Sequence, residues 1–167
     1  MEVYYKNISA KELAITQIAS GFKIAPPLLK TSLDLSNNRG SFEMVKFRPL
    51  IDLQLSDQQK YINQILDKLN KLHDIGILWL DPSEENIVVD INSNNAYLID
   101  FGASRFISEL HIANSINDSN IFDIPGRYPV SIEEAKRISI NEVLFFLGIG
   151  KKPMELAVYN DLLVTEE

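Results

Sequence analysis

A chain of 167 residues with 46% apolar and 23% charged side chains has the size and balance of one globular domain with a sizeable core. A formal charge of −7 and a pI near 4.9 disfavour non-specific attraction to nucleic acid or to an anionic membrane, so any nucleotide must be held by a local site. No apolar run is long enough to span a bilayer, the first residues lack a basic segment followed by an apolar one, and there is no cysteine for a disulfide or a thiolate metal centre, so a soluble cytoplasmic protein is expected.

In chain order, Val3 to Tyr5 is a short β-prone run ending at Lys6. Ser9-Ala10-Lys11-Glu12 fits a capping box, and Leu13, Ala14, Ile15, Ile18 and Ala19 give the helix behind it one apolar face, with Gly21 as its C′ residue. Ala25-Pro26-Pro27 forces extended backbone. Leu28 to Leu35 and Ser41 to Phe47 then read as antiparallel strands joined by the polar turn Ser36 to Gly40. Arg48-Pro49 ends the second strand. Ser56 opens a long helix with Ile62, Ile65, Leu66, Leu69 and Leu72 in one stripe and Gly76 at its end.

After that helix come the apolar run Ile77 to Leu80, the polar stretch Asp81 to Glu85, and a hairpin, Asn86 to Ile91 and Ala96 to Ile99, turning at Asn92 to Asn95. The outer ends of this hairpin carry Asn86 and Asp100, so the pattern brings the two together. From Gly102 to Tyr128 the pattern weakens into a surface segment. Ser131-Ile132-Glu133-Glu134 is a second capping box opening a helix to about Leu147, Gly148 to Lys152 reads as a helix end with two solvated lysines, and Pro153 suits the first turn of a last helix. His73 and His111 are too few for a histidine zinc centre and read as structural or surface residues.

An aspartate at 81, an asparagine five residues on at 86 and the triplet Asp100-Phe101-Gly102 stand at the ends of short apolar runs, each beside a turn. Phosphoryl transfer needs magnesium, a cation on the phosphates and a carboxylate facing the attacking hydroxyl. Asp100 and Asn86 supply oxygen ligands for magnesium, and Asp81 supplies the carboxylate that orients the hydroxyl or takes its proton. Lys6 is the phosphate cation, with Lys11 as its rival, and Glu12 serves either as the ion-pair partner of Lys6 or as a capping residue.

The stretch Leu72-His73, Gly76-Ile77, Asp81 to Asn86 and Ile99-Asp100-Phe101-Gly102 resembles the catalytic core of the protein-kinase-like superfamily, including its minimal Bud32-type, RIO-type and aminoglycoside-phosphotransferase-like branches. The resemblance implies an α+β fold in a single domain, 1–167, with a reduced antiparallel N-lobe sheet carrying one helix over about 1–48 and a shortened, mainly helical C-lobe over 49–167. It implies ATP and Mg2+ as cofactors, with Asp81 as the catalytic-loop aspartate, Asn86 as its metal-binding asparagine and Asp100 as the metal-binding aspartate. Val88 would lie under the adenine, the strand Glu43 to Phe47 would lead into the hinge, and Val45, Phe47 and Ile99 would complete the nucleotide pocket.

Four departures accompany the resemblance: no glycine-rich loop precedes Lys6, Trp79 and Leu80 replace the His and the Arg or Gly of the catalytic loop, Pro82 and Ser83 replace its usual Leu and Lys, and no Ala-Pro-Glu-like motif follows. Ser104, Ser108, Ser115 and Ser119 are candidate autophosphorylation sites. The implied function is an ATP- and magnesium-dependent kinase, most simply a minimal serine/threonine kinase, with a protein substrate or regulatory protein as partner. Its rivals are a pseudokinase that binds a partner without chemistry, a site completed only by a partner, and a small-molecule kinase.

Overall fold

The computed structural model describes residues 1–79, 83–108 and 132–148. Asp81, with Leu80 and Pro82, lies outside the described residues, as do His111, Ser115, Ser119, Ser131 and the last helix expected from Pro153. The described architecture is α+β. Strand β1 (Val3–Ser9), helix α1 (Ala10–Gly21), β2 (Leu28–Asp34) and β3 (Arg39–Val45) form an antiparallel sheet of order β1-β3-β2 with one helix. The register pairs Tyr4 with Met44 and Lys6 with Phe42, which puts Tyr4, Lys6, Ile8, Phe42 and Met44 on one face of the sheet.

Ser9 caps α1 as the capping box requires, its hydroxyl accepting from the Glu12 N–H at 3.1 Å. Two expectations for this helix need correction. Leu13 packs with Ile8, Phe42 and Met44 while Ile15 and Ala19 join the main core, so α1 buries two sides rather than one. Gly21 is the last helical residue, and the left-handed turn falls on Lys23 at φ 60° instead, because the Phe22, Lys23 and Ile24 N–H groups fold back onto the last helical carbonyls. Gly40, expected in the hairpin turn, sits inside β3, where a Cβ would come within 2.8 Å of Leu13; the turn is made by Asn38 at φ 52°, with the Asp34 carboxylate holding Asn37.

Below this sheet, β4 (Arg48–Pro49), β6 (Ile87–Asp90) and β7 (Asn95–Leu98) form a second antiparallel sheet, and β5 (Ile77–Leu78) pairs with β8 (Arg105–Phe106). The helix expected from Ser56 is two helices, α2 (Leu55–Gln59) and α3 (Ile62–Asp74), broken at Lys60-Tyr61. Tyr61 is buried and donates to Asn94 in the β6–β7 turn at 3.3 Å, and that anchorage starts a new helix. Ile65, Leu69 and Leu72 of α3 are fully buried, and Gly76 at φ 90° closes its end. Helix α4 (Ile132–Phe146) packs on α3 through Val143 and ends at Gly148, φ 77°. Among the described residues no helix is long and apolar enough to cross a membrane.

Candidate functional site

Lys6 stands on the inward face of β1, and Glu12 one turn into α1, so the short gap between them is spanned by the strand-to-helix corner at Ser9. The Lys6 ammonium donates to Glu12 Oε2 at 2.9 Å and to Asp100 Oδ1, 94 residues along the chain, at 3.3 Å. The Ser9 hydroxyl accepts from the Glu12 N–H, while the Glu12 carboxylate pairs with Lys6. Burial pulls the Lys6 pKa down, but the Glu12 hydrogen bond and the Asp100 and Glu12 charges outweigh it, so Lys6 titrates above an ordinary lysine and stays charged.

The predicted hairpin positions Asp100. Ile99 N–H donates to the Asn86 carbonyl at 2.9 Å, which places the backbones of Asn86 and Asp100 at the same end of the β6–β7 pair. Asp100 sits at φ 63°, a left-handed conformation that Asp tolerates better than most residues. Two contacts hold it there. The Trp79 indole N–H donates to the Asp100 carbonyl at 3.1 Å, and the Gly102 N–H donates to Asp100 Oδ1 at 3.3 Å. A Cβ at Gly102 would lie 3.0 Å from Glu12 Oε1, so a glycine there lets the two carboxylates approach the lysine together.

Trp79 is fully buried, and its carbonyl accepts from Ser139 Oγ on α4 at 3.0 Å. The chain two residues before Asp81 is thus clamped by α4 on one side and the Asp100 backbone on the other. Trp79 and Phe101 belong to the same core cluster, and the indole hydrogen bond is a feature that spacing alone does not reveal. Ser83 caps the turn Glu84–Asn86, accepting from Glu85 N–H at 3.3 Å. Ser104 is 2% exposed with its hydroxyl unpartnered, so it is not an accessible phosphorylation site, whereas Ser108 is exposed.

Beside this cluster lies a cavity of about 180 Å3 lined chiefly by apolar side chains. Val45, Phe47, Val88 and Ile99 all face it, joined by Tyr4, Met44, Pro26 and Pro49, which the sequence reading did not select. Tyr4 was legible in principle, because it shares the strand face of Lys6. The volume is below that of whole-ligand pockets and matches a flat heterocycle with the rest of the ligand outside. Outside it, toward Lys6 and Asp100, the chain offers one ammonium and carboxylate oxygens. Asp100 and the Asn86 amide are hard oxygen donors of the kind magnesium takes, although no three His, Cys, Asp or Glu side chains cluster among the described residues.

No profile of a known protein family matches the chain. It is 34% identical over 91 residues to the probable serine/threonine-protein kinase KIN1 homolog of Encephalitozoon cuniculi, covering 50% of this chain and 16% of that protein. It is 32% identical over 79 residues to the serine/threonine-protein kinase PKH1 of Saccharomyces cerevisiae, covering 47% of this chain and 10% of that one. The chain therefore spans 16% or less of the length of these curated relatives. The solved structure of the Cydia pomonella granulovirus kinase PK-1 superposes with a TM-score of 0.51 at 21% identity, over 62% of this chain and 43% of that one. The fold is protein-kinase-like. Within it the Lys6–Glu12–Asp100 cluster and the Val88 cavity lie between the β1-β3-β2 sheet and the β4-β6-β7 sheet.

Proposed function

We propose that this protein is an ATP- and magnesium-dependent phosphotransferase that acts on a hydroxyl, most simply a serine or threonine of a protein. The observation that carries the reading is the Lys6 ammonium bridging Glu12 and Asp100 across 94 residues, beside a cavity lined by Val45, Phe47, Val88 and Ile99. The cavity receives the adenine and leaves the phosphates toward Lys6. Glu12, 11% exposed, orients the lysine so that its charge falls on the phosphate oxygens. Asp100 and Asn86 would hold the magnesium, which would supply positive charge to the transferred group. Asp81 accepts the acceptor's hydroxyl proton as the new O–P bond forms and the bond to the ADP oxygen breaks.

A second reading, a kinase-like scaffold that binds a regulatory partner without transfer, draws on the openness of the site. The Lys6 and Asp100 side chains are 27% and 42% exposed, and water at the phosphates weakens each electrostatic contribution. Incubation with γ-labelled ATP, magnesium and a serine/threonine peptide mixture separates the two. Transfer of label by the wild type and its loss in Asp81→Asn supports the enzyme; equal background in both, with a magnesium-ATP thermal shift retained, supports the scaffold.

A further inference from the structure

Beyond the Phe47–Tyr97 stack from the first cavity, at the free edge of β7, is a second cavity, about 330 Å3, lined by Phe22 and Lys23 after α1, by Gln64, Asp67, Lys68 and Lys71 of α3, and by Asn95 and Tyr97 of β7. Three lysines line it against one carboxylate, in a chain whose net charge is −7. We propose that this cavity binds a phosphate monoester through Lys23 and Lys71, with the organic group that carries the phosphate against the exposed Phe22 side chain. The proposal is independent of the phosphotransferase reading.

The three lysines do different things. Lys68 is a fixed charge: its ammonium donates to the Ala96 carbonyl and to Gln64 Oε1, and it lies 4.3 Å from the centre of the Tyr97 ring, so its donors are engaged by the protein. Lys71 makes one long hydrogen bond, 3.4 Å, to the Phe22 carbonyl, and lies 5.4 Å from the centre of the Phe22 ring. Lys23 is exposed and held in a left-handed turn, φ 60°, that glycine would adopt at lower cost. Anchoring α3 to β7 needs only Lys68. Lys71 stands three residues from Lys68 and four from Asp67 on the same helix, so a single carboxylate serves two ammonium groups there.

Charge arithmetic selects the anion. Three lysines minus Asp67 leave a local balance of +2, which a phosphate monoester, with about −1.5 to −2 charge at neutral pH, neutralises and a single carboxylate does not. The cavity is larger than a bare phosphate needs, and its aromatic walls suit an attached organic group. Lys68 is pushed down to about 8, by burial first and by the Lys71 charge second.

The test is calorimetric titration of the whole chain, without nucleotide, using phenyl phosphate, inorganic phosphate and a phosphoserine peptide. Phenyl phosphate is expected to bind more tightly than inorganic phosphate. The double variant Lys23→Gly/Lys71→Met is expected to weaken binding by about tenfold or more, and Asp67→Asn to strengthen it severalfold, a gain that damage to the fold cannot imitate. A phosphopeptide preferred over phenyl phosphate identifies a phosphorylated side chain as the natural ligand; the reverse order identifies a small molecule, and both uphold the site. Absence of binding by all three probes overturns it. So does binding that survives Lys23→Gly/Lys71→Met and disappears in Lys6→Met.

Discussion

Lys6 in the front cleft and Lys68 in the rear cavity beyond the Phe47–Tyr97 stack are both half-buried lysines, and their surroundings push them in opposite directions. Around Lys6, burial is overcome by Glu12 and Asp100, so the charge is held firmly. Among the described residues no carboxylate pairs with Lys68; its contacts are the Ala96 carbonyl, a glutamine and a ring, with Lys71 nearby, and its pKa falls to about 8. The same residue type is thus neutralised by its own protein at the front and left in excess at the back. A cluster with one carboxylate in excess suits an added cation, whereas one with lysines in excess draws an anion from outside. Between the two stands the Phe47–Tyr97 stack, 5.3 Å between centroids and 12° from parallel, with Phe47 lining the front cavity and Tyr97 the rear one.

The sharpest way to break the comparison is to unbalance the front. Asp100→Asn keeps a side chain that tolerates φ 63° but removes the charge Lys6 pairs with and a metal oxygen. At nucleotide near one hundred times its Kd, the wild type should gain about 3 kcal/mol of stability from magnesium-ATP, and Asp100→Asn should lose the magnesium-dependent part. Denaturation midpoints with ATP, with and without magnesium, measure it.

Next in size is the acid response of His73, which is 5% exposed with Nε2 unpartnered and faces Lys136 and Glu133 of α4 and Asp74 of its own helix. Burial first, and Lys136 second, lower its pKa from 6.5 to about 4. The unfolded chain therefore binds the proton more readily, and stability present above pH 6.5 is lost as pH falls toward 4, by up to about 3 kcal/mol. His73→Leu should flatten the upper part of that limb, between pH 6.5 and 5, above the titration of most carboxylates; an unchanged slope there would show that His73 is hydrated in the fold.

Trp79→Phe removes the donor to the Asp100 carbonyl and leaves a void in the core, for a cost of about 2 kcal/mol in urea unfolding. The smallest effect lies at the rear. A lysine depressed to about 8 binds its proton less well folded than unfolded, so stability should rise as pH climbs from about 8 to 9.5, short of the raised Tyr97 titration. With Lys68 only half-buried, solvent screening holds the rise below about 1 kcal/mol, and Lys68→Met should abolish it.

The front cleft was more legible in sequence than the rear cavity. The polar residues Asn86 and Asp100 at the outer ends of alternating apolar runs define a hairpin that fixes their proximity, and Ser9 with Glu12 defines the corner that returns Glu12 to Lys6. The rear cavity is built from a left-handed turn at Lys23, from the lysine face of α3 and from the outer face of β7, three surfaces with no shared motif. The α2–α3 break was hidden for a similar reason: local pattern continues through Lys60-Tyr61, and the tertiary bond from Tyr61 to Asn94 interrupts it. Trp79 was visible as an odd residue before Asp81, but its indole bond depends on the left-handed Asp100 carbonyl.

The measurement that bears most directly on the front cleft is single-turnover label transfer from γ-labelled ATP by wild type and Lys6→Met, at saturating magnesium and matched folded fraction. The Lys6–Glu12–Asp100 cluster predicts a fall in rate of about one hundredfold or more, because the phosphates lose the charge that Glu12 and Asp100 hold in place. Equal transfer rates in the two proteins would contradict the assignment of Lys6, and with it the claim that this cleft is where phosphate is moved.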